Sequence, residues 1–202
     1  MLCVVGVILI AGGQAVRAAH PAAHDPDVPL TGPAFQVAGL KFTIPAKWLP
    51  MPADNPARVG QWLIPPPHGQ GEAGELVVFF FGPGSGGSAK ENIDAWIATM
   101  SNADGHPAAA DVKTHQTASV NSMPTYKISQ VAIFGTYNQA IPLPGVPPRA
   151  RPNYGLLGAV VENPQGNIYC NIFWRLTGPE PLVTATLPLF NKIIDSVKPQ
   201  DK

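Results

Sequence analysis

The chain has 202 residues and a formal net charge of zero, with 13 basic and 13 acidic side chains, and only 13% of its residues are charged. This length suits one domain with a hydrophobic core. A neutral chain excludes nucleic acid and anionic membranes as main partners, because both require a basic surface.

The first residues, 1–18, have the pattern of a cleaved signal peptide. An apolar stretch from Met1 to Gly13 is followed by Val16 and Ala18, which fit the −3 and −1 positions of a signal-peptidase site. The stretch is shorter than the about 20 residues of a membrane-spanning helix. The pattern predicts export with cleavage after Ala18 and no membrane span thereafter. No Lys or Arg precedes the stretch, which departs from the pattern and points to a true start upstream. An uncleaved N-terminal anchor is the alternative to cleavage.

A tether and one domain are predicted to follow the signal. Residues 19–34 are rich in proline and lack periodicity, which is typical of a flexible tether. The domain, residues 35–198, starts with a hairpin that turns at Gly39. A second strand region covers residues 57–65. Residues 75–81 are apolar on both faces, which predicts a central strand covered on both sides.

A helix is predicted after the glycine-rich turn that ends this central strand. Its apolar face recurs at helical spacing and comprises Ile93, Trp96, Ile97 and Met100. Ser88 followed by Glu91 fits a capping box, in which the Ser88 side chain accepts from the helix and the Glu91 carboxylate accepts from the Ser88 N–H. The box places negative charge at the start of the helix, where the helix dipole favours it.

The C-terminal half adds more strands and a closing helix. Two strands near residues 112–120 and 123–137 precede a proline-dense loop at 138–153. A hairpin turns across residues 163–166. In its second strand, Ile168, Cys170, Ile172, Trp174 and Leu176 alternate onto one face, which predicts that the Cys170 thiol is buried and inert. Pro188 lies within the closing helix and is expected to kink or split it.

Strands in runs joined by hairpins predict an α+β fold with a mainly antiparallel sheet flanked by helices. Three segments and the closing helix resemble a family of uncharacterised secreted bacterial proteins that is related in fold to the PsbP-like domain of the photosynthetic oxygen-evolving complex. The three segments are "LKFTIPAKW", "ELVVFFFGPGSGGSAKENIDAWI" and "YGLLGAVVENPQGNIYCNIFWRLTGPE". The resemblance spans about residues 35–198 and implies an α/β/α sandwich around an antiparallel sheet. It brings no catalytic residues with it.

The glycine-rich turn is the first candidate site. Residues 82–88 nearly match a phosphate-binding loop, but the lysine that would reach the phosphates is absent. The capping carboxylate of Glu91 also disfavours a second anion. The turn is therefore predicted mainly to connect the central strand to the helix. It also offers a candidate site for a polar ligand at Ser85, Gly86, Gly87 and Ser88.

The proline-dense loop is the second candidate site. Pro144, Pro147 and Arg149 match a polyproline ligand motif, and Arg151 adds charge. These four residues are the candidate contact point for a partner protein, with a stiff covering loop as the alternative reading.

The sequence contains no complete motif for catalysis, metal binding or a cofactor, so no residue is assigned to any of these roles. The four tryptophans are predicted to be core residues rather than a carbohydrate platform. The leading hypothesis is an exported, non-catalytic accessory or binding protein for an unknown protein or small ligand. The alternative is an extracytoplasmic hydrolase with dispersed acidic and histidine residues. A cleft with converging titratable groups of shifted pKa would favour the hydrolase.

Overall fold

In a computed structural model of the chain, residues 30–53, 55–117, 125–141, 145–165 and 168–200 are described. The predicted signal peptide and residues 19–29 of the predicted tether lie outside them. The helices are α1 (Ala89–Ala98), α2 (Glu180–Asp195) and a short 3-10 helix (Pro67–Gly69). The strands are β1 (Ala34–Val37), β2 (Leu40–Thr43), β3 (Leu49–Pro50), β4 (Arg58–Ile64), β5 (Gly74–Phe79), β6 (Met100–Ser101), β7 (Ala110–Gln116), β8 (Lys127–Gln139), β9 (Arg149–Glu162), β10 (Pro164–Gln165), β11 (Ile168–Tyr169), β12 (Ile172–Pro179) and β13 (Lys198–Pro199).

The main sheet has eight strands in the order β3-β4-β5-β12-β9-β8-β6, and β7 pairs with β8 beside β6. All of its strand pairs are antiparallel. Two smaller sheets, β1-β2-β13 and β10-β11, lie outside it. These pairings confirm the predicted α+β class with a mainly antiparallel sheet.

The core consists of two clusters, one on each face of the main sheet, because successive side chains of a strand point to opposite faces. On β9, Leu157, Ala159 and Val161 belong to the cluster that contains α2 and the β1–β2 hairpin. Leu156 and Val160 belong to the cluster that contains α1. The two described helices therefore cover opposite faces of the sheet.

Two glycines of β9 let the helices approach the sheet closely. A Cβ at Gly158 would lie 2.3 Å from Cε3 of Trp96 on α1, and a Cβ at Gly155 would lie 2.7 Å from Cβ of Val183 on α2. Real Cβ atoms do not approach this closely, so each helix lies where the strand has no side chain. Trp96 and Val183 are buried as a result.

Helix α2 continues through Pro188 as one helix from Glu180 to Asp195. Pro188 provides no N–H for the preceding turn. The buried residues Val183 and Phe190 pack on the sheet on either side of the proline, and tertiary packing of this kind contributes most of a helix's stability in proteins. The helix is therefore not split.

The predicted loop at 138–153 is shorter than expected, because β9 begins at Arg149 and pairs with β8 as far as Gln139. The register shifts between Gly135 and Tyr137, opposite Pro152 and the residue after it. A bulge at this point accommodates a proline, which has no N–H to donate to the ladder. The sequence prediction was wrong here, since it treated a run rich in proline as a loop throughout.

Contacts with the domain begin before residue 35. The carbonyl of Pro33 accepts a hydrogen bond from Ile44 N at 3.0 Å, and that of Thr31 accepts one from Ala46 N at 3.2 Å. Leu30 packs against the core cluster below α2. The last residues of the predicted tether thus lie along the chain that leaves β2.

The predicted strand around Cys170 is interrupted. Cys170 is buried, as predicted. Ile168, predicted to share its face, is 52% exposed. Strand β11 ends at Tyr169 and β12 starts only at Ile172, so the alternation does not continue between them.

The capping box of α1 is present as predicted. Glu91 N donates to Ser88 Oγ at 3.2 Å, and Ser88 N donates to Glu91 Oε2 at 2.8 Å. The glycine-rich turn therefore ends in a helix start whose first N–H groups already have partners.

Replacing Ser88 with Ala should lower the free energy of unfolding by about 1 kcal/mol, because the helix then loses its N-cap acceptor. The matched control is Glu91→Gln, which keeps an S-x-x-Q box and should cost less. Urea unfolding of the three proteins measures the difference. Equal stability of Ser88→Ala and the unaltered protein would contradict the importance of the cap.

Candidate functional site

The glycine-rich turn joins β5 to α1 and is fixed to the β10–β11 hairpin. Four of its glycines have positive φ: Gly82, Gly84, Gly86 and Gly87, at 95°, 70°, 90° and 80°. Other residues rarely adopt this conformation, so the path of the turn depends on glycine. Gly84 N donates to the carbonyl of Tyr169 at 2.8 Å, which holds the turn beside the hairpin.

A cavity of about 530 Å³ lies between the turn and the hairpin, and we call it the polar cavity. It is lined by Gly84, Ser85, Gly87, Ser88, Glu162, Ile168, Tyr169 and Asn171. Three of the four predicted ligand residues are therefore brought together. Gly86 is not among the lining residues, because its Cα faces the rings of Phe81 and Phe173, where a Cβ would lie 2.7 Å and 2.6 Å from ring carbons. Ligand binding at these residues stays a prediction.

The polar cavity is rich in hydrogen-bond acceptors. Asn171 donates through Nδ2 to the carbonyl of Gly87 at 3.3 Å. Its Oδ1 atom is buried and has no hydrogen-bond partner among the described residues. The Glu162 carboxylate forms an ion pair with Lys127, with Nζ 2.8 Å from Oε2. An unpartnered buried carbonyl oxygen costs stability, and this atom has almost no surface that a ligand in the cavity can contact.

The start of α1 does not offer this cavity an anion site. The carboxylate of Glu91 accepts hydrogen bonds from both the N–H and the hydroxyl of Ser88. These hydrogen bonds hold the pKa of Glu91 below its ordinary value. A phosphate at this position would meet an ionised carboxylate instead of free N–H groups, which agrees with the missing lysine of the turn.

A second cavity of about 460 Å³ lies on the opposite side of the main sheet, between α2 and the segments that follow β2 and β4. We call it the apolar groove. It is lined by Leu30, Thr31, Pro45, Ala46, Lys47, Trp48, Ile64, Pro65, Pro66, Pro67, Leu182, Ala185, Thr186 and Leu189. Helix α2 contributes a stripe at helical spacing, and the other wall contains four prolines.

Several polar groups around the apolar groove have partners within the protein. The carbonyl of Pro45 accepts from Trp48 N, and that of Pro66 accepts from Gly69 N, both at 3.0 Å. The hydroxyl of Thr186 donates to the Leu182 carbonyl at 2.7 Å. Prolines have no N–H to offer. The groove therefore presents mostly hydrocarbon, with the exposed residue Lys47 as its charged lining residue.

The predicted partner loop is described only in part. Pro144 lies outside the described residues, and Pro147 and Arg149 are exposed. Arg149 and Arg151 belong to β9 rather than to a loop. Arg151 forms an ion pair with Glu72, and its guanidinium lies 4.5 Å from the centre of the Tyr154 ring. Arg151 is thus held by the domain, and a role in binding a partner stays a prediction.

Two residues that contact Arg151, Glu72 and Tyr154, have shifted pKa values. The Tyr154 hydroxyl donates to Glu72 Oε1 at 2.6 Å. This bond, together with Arg151, holds the pKa of Glu72 below its ordinary value despite partial burial. Burial, followed by the bond to Glu72, raises the pKa of Tyr154. The two shifts keep Glu72 ionised and Tyr154 protonated near neutral pH. Acid–base catalysis near neutral pH requires pKa values moved towards 7 instead.

One pair of histidine and carboxylate was missed by the sequence reading. His115 on β7 lies with Nε2 2.8 Å from Oδ1 of Asp195, at the end of α2. The two residues are 80 positions apart, so no local pattern indicates the contact. The neighbouring hydroxyl of Thr114 lies on the other face of the sheet, 3.2 Å from that of Ser129, and does not extend the pair.

All four tryptophans are buried, as predicted: Trp48, Trp62, Trp96 and Trp174. Among the described residues, no group of three or more His, Cys, Asp or Glu side chains is arranged to hold a metal ion. No helix within the described ranges is both long and apolar enough to cross a membrane.

No family model matches the chain, and no curated protein matches it. Among solved structures, it is similar to the solution structure of cyanobacterial PsbP from Synechocystis sp. PCC 6803. The identity is 12% and the TM-score 0.46, over 86% of this chain and 96% of that chain. A similarity at this level carries no inference about what this chain binds.

The pKa shift of Glu72 predicts how stability depends on pH. The ordinary pKa is 4.5, and the folded value is lower. The ionised carboxylate therefore stabilises the fold above the unfolded pKa, and this stabilisation is lost as the pH falls through the folded pKa. Replacing Glu72 with Gln should lower stability at about pH 7 and reduce the further loss at about pH 3.

Urea unfolding at the two pH values measures this effect. Tyr154→Phe should act in the same direction, because it removes the hydrogen bond that lowers the pKa of Glu72 most. The control is Val59→Thr, at an exposed position of β4 without a titratable group, which should leave the acid dependence unchanged. The same acid dependence in Glu72→Gln and the unaltered protein would refute the proposed cause.

Proposed function

We propose that the chain is an exported, non-catalytic binding protein of the PsbP-like sandwich type, and that its ligand is an aliphatic molecule bound in the apolar groove. The observation that carries the proposal is the wall of the groove, which is mostly hydrocarbon and contains four prolines and carbonyls that are bonded within the protein. Its volume of about 460 Å³ lies within the range of small-molecule sites, about 300–1,000 Å³.

The distribution of titratable groups supports binding over the alternative of an extracytoplasmic hydrolase. The apolar groove is lined by one of them, Lys47. In the polar cavity, Glu162 is paired with Lys127. Glu72 and Tyr154 have shifted pKa values, but they bond to each other and line neither cavity. A hydrolytic site requires a nucleophile or activated water beside a group poised to transfer protons, and neither cavity combines these among the described residues.

Lys47 places a positive charge beside the apolar groove. It is exposed, while Trp48, the next residue, is buried and forms part of the wall. A cation at the opening of a hydrocarbon groove favours an aliphatic ligand with an anionic head, because the chain is removed from water while the head stays solvated beside the ammonium. We therefore propose an acyl chain with an anionic head as the ligand class.

Laurate should bind the full domain more tightly than dodecyltrimethylammonium, which has the same chain length but the opposite head charge. Intrinsic fluorescence reports binding through Trp48. Ala185→Phe, which places a ring in the groove, should abolish laurate binding. The matched control is Ala95→Phe, on the exposed side of α1, which should bind laurate as the unaltered protein does.

The variant Lys47→Glu tests the contribution of the ligand's head group separately from that of its acyl chain. It should weaken laurate binding and strengthen binding of the ammonium amphiphile, because the charge at the opening is reversed. The proposal fails if Ala185→Phe binds laurate as well as Ala95→Phe does. Equal effects of Lys47→Glu on both amphiphiles would keep the groove and remove the anionic head from the proposal.

Export rests on the sequence of residues 1–18 and is tested separately. The protein recovered from outside the cytoplasm of its natural host should begin at Ala19, because the signal peptidase cuts after Ala18. Edman sequencing or intact mass determines the first residue. A membrane-bound form that retains Met1 would establish the N-terminal anchor instead, and recovery from the cytoplasm alone would refute export.

A further inference from the structure

We propose that the outer edge of β7 is the interface of a homodimer, in which β7 pairs with β7 of a second copy and joins the two main sheets. Strand β7 pairs with β8, and no strand among the described residues pairs with its other edge. A pairing of the same strand in both copies closes as a two-fold symmetric dimer. Strand β7 contributes no residue to the apolar groove, so the dimer and the aliphatic ligand can each fail without the other.

The first step is the direction of the backbone groups of β7. In the continuation of the β7–β8 register, Thr117 N donates to the carbonyl of Tyr126 at 3.0 Å. Antiparallel pairs alternate between hydrogen-bonded and non-hydrogen-bonded, so the odd-numbered residues of β7 bond to β8. The even-numbered residues Ala110, Val112 and Thr114 therefore point their N–H and C=O groups away from β8. These groups are the ones that a further strand would pair with.

The second step is the exposure of the strand. Residues 111–114 are exposed, on both faces of the sheet, and Val112 is 48% exposed. At the opposite edge of the main sheet, β3 has only two residues, of which one is Pro50. A long uncovered edge is a template for pairing with another chain, whereas a short edge with a proline is protected. Strand β7 is thus an edge that can accept a second strand.

The third step is the register, which the charges of β7 select. A two-fold axis at Val112 places Val112 opposite itself and Asp111 opposite Lys113 of the second copy, twice. An axis at Asp111 or at Lys113 would place two equal charges opposite each other. An axis at Thr114 would place Lys113 opposite His115. Opposite charges in facing positions stabilise a strand pair and like charges destabilise it, so the strand is self-complementary around Val112.

The ion pair that already exists on β7 is compatible with this dimer. Lys113 Nζ lies 2.8 Å from Asp111 Oδ2, and the two side chains are 72% and 61% exposed. Positions two apart lie on the same face of a strand. In the dimer, each carboxylate therefore lies between the lysine of its own copy and that of the second copy. On the other face, the two Val112 side chains cover each other and lose contact with water.

Sedimentation velocity of the mature chain that starts at Ala19 tests the dimer. We expect a weak dimer with a Kd of about 0.1 mM, because a short strand pair is smaller than a standard interface. Val112→Pro should weaken dimerisation at least about tenfold, because it removes an outward N–H and leaves the bonds to β8 intact. The matched control is Val112→Thr, which keeps the N–H and the β-branched shape and should still dimerise. Far-UV circular dichroism checks that both variants are folded.

Charge exchange tests the register. Asp111→Lys and Lys113→Asp should each yield a monomer, because like charges then face each other across the axis. An equimolar mixture of these two variants should dimerise, since each carboxylate then faces an ammonium. The double variant Asp111→Lys/Lys113→Asp should regain the dimer. A monomer at every concentration, a dimer that survives Val112→Pro, or a double variant that stays monomeric would overturn the proposal.

Discussion

The close packing of both helices against β9 is the constraint on which the rest of the structure depends. Gly155 and Gly158 lie three positions apart and therefore on opposite faces of the strand. Each admits one buried side chain, Val183 from α2 and Trp96 from α1, at a distance that a Cβ would prevent. The backbone of β9 is paired on both edges, by β8 and β12, and both of its faces are therefore covered by helices without leaving an open edge.

Both cavities follow from this arrangement. Since Trp96 fixes α1 on the sheet, the start of α1 and the glycine-rich turn before it come to lie beside the β10–β11 hairpin, and the polar cavity lies between them. On the other face, Val183 fixes α2, and the stripe of Leu182, Ala185 and Leu189 then faces the proline segments. The two candidate sites are thus separate consequences of where two helices are anchored.

The sequence predicted the parts that depend on neighbours along the chain. The capping box, the doubly buried β5, the hairpins and the two helices have local patterns of period two or 3.6, or fixed spacings. The strand start at Arg149 was missed, because a proline at a bulge looks like a loop residue when its partner strand is unknown. The apolar groove combines segments near residues 30, 46, 66 and 185, and contacts between distant segments leave no local signal. Asn171 was missed for the same reason, since its lack of a partner is visible only in three dimensions.

The glycine-rich turn shows how one local feature removes the anion site that a motif suggests. A glycine turn before a helix is usually an anion site, because free N–H groups and the helix dipole point at the ligand. Here the Glu91 carboxylate accepts from the Ser88 N–H and places its own negative charge at that position. Asn171 and Glu162 line the space beside the same turn, and Glu162 is paired with Lys127. The residues that resemble a phosphate loop therefore form a connection from strand to helix that disfavours an anion.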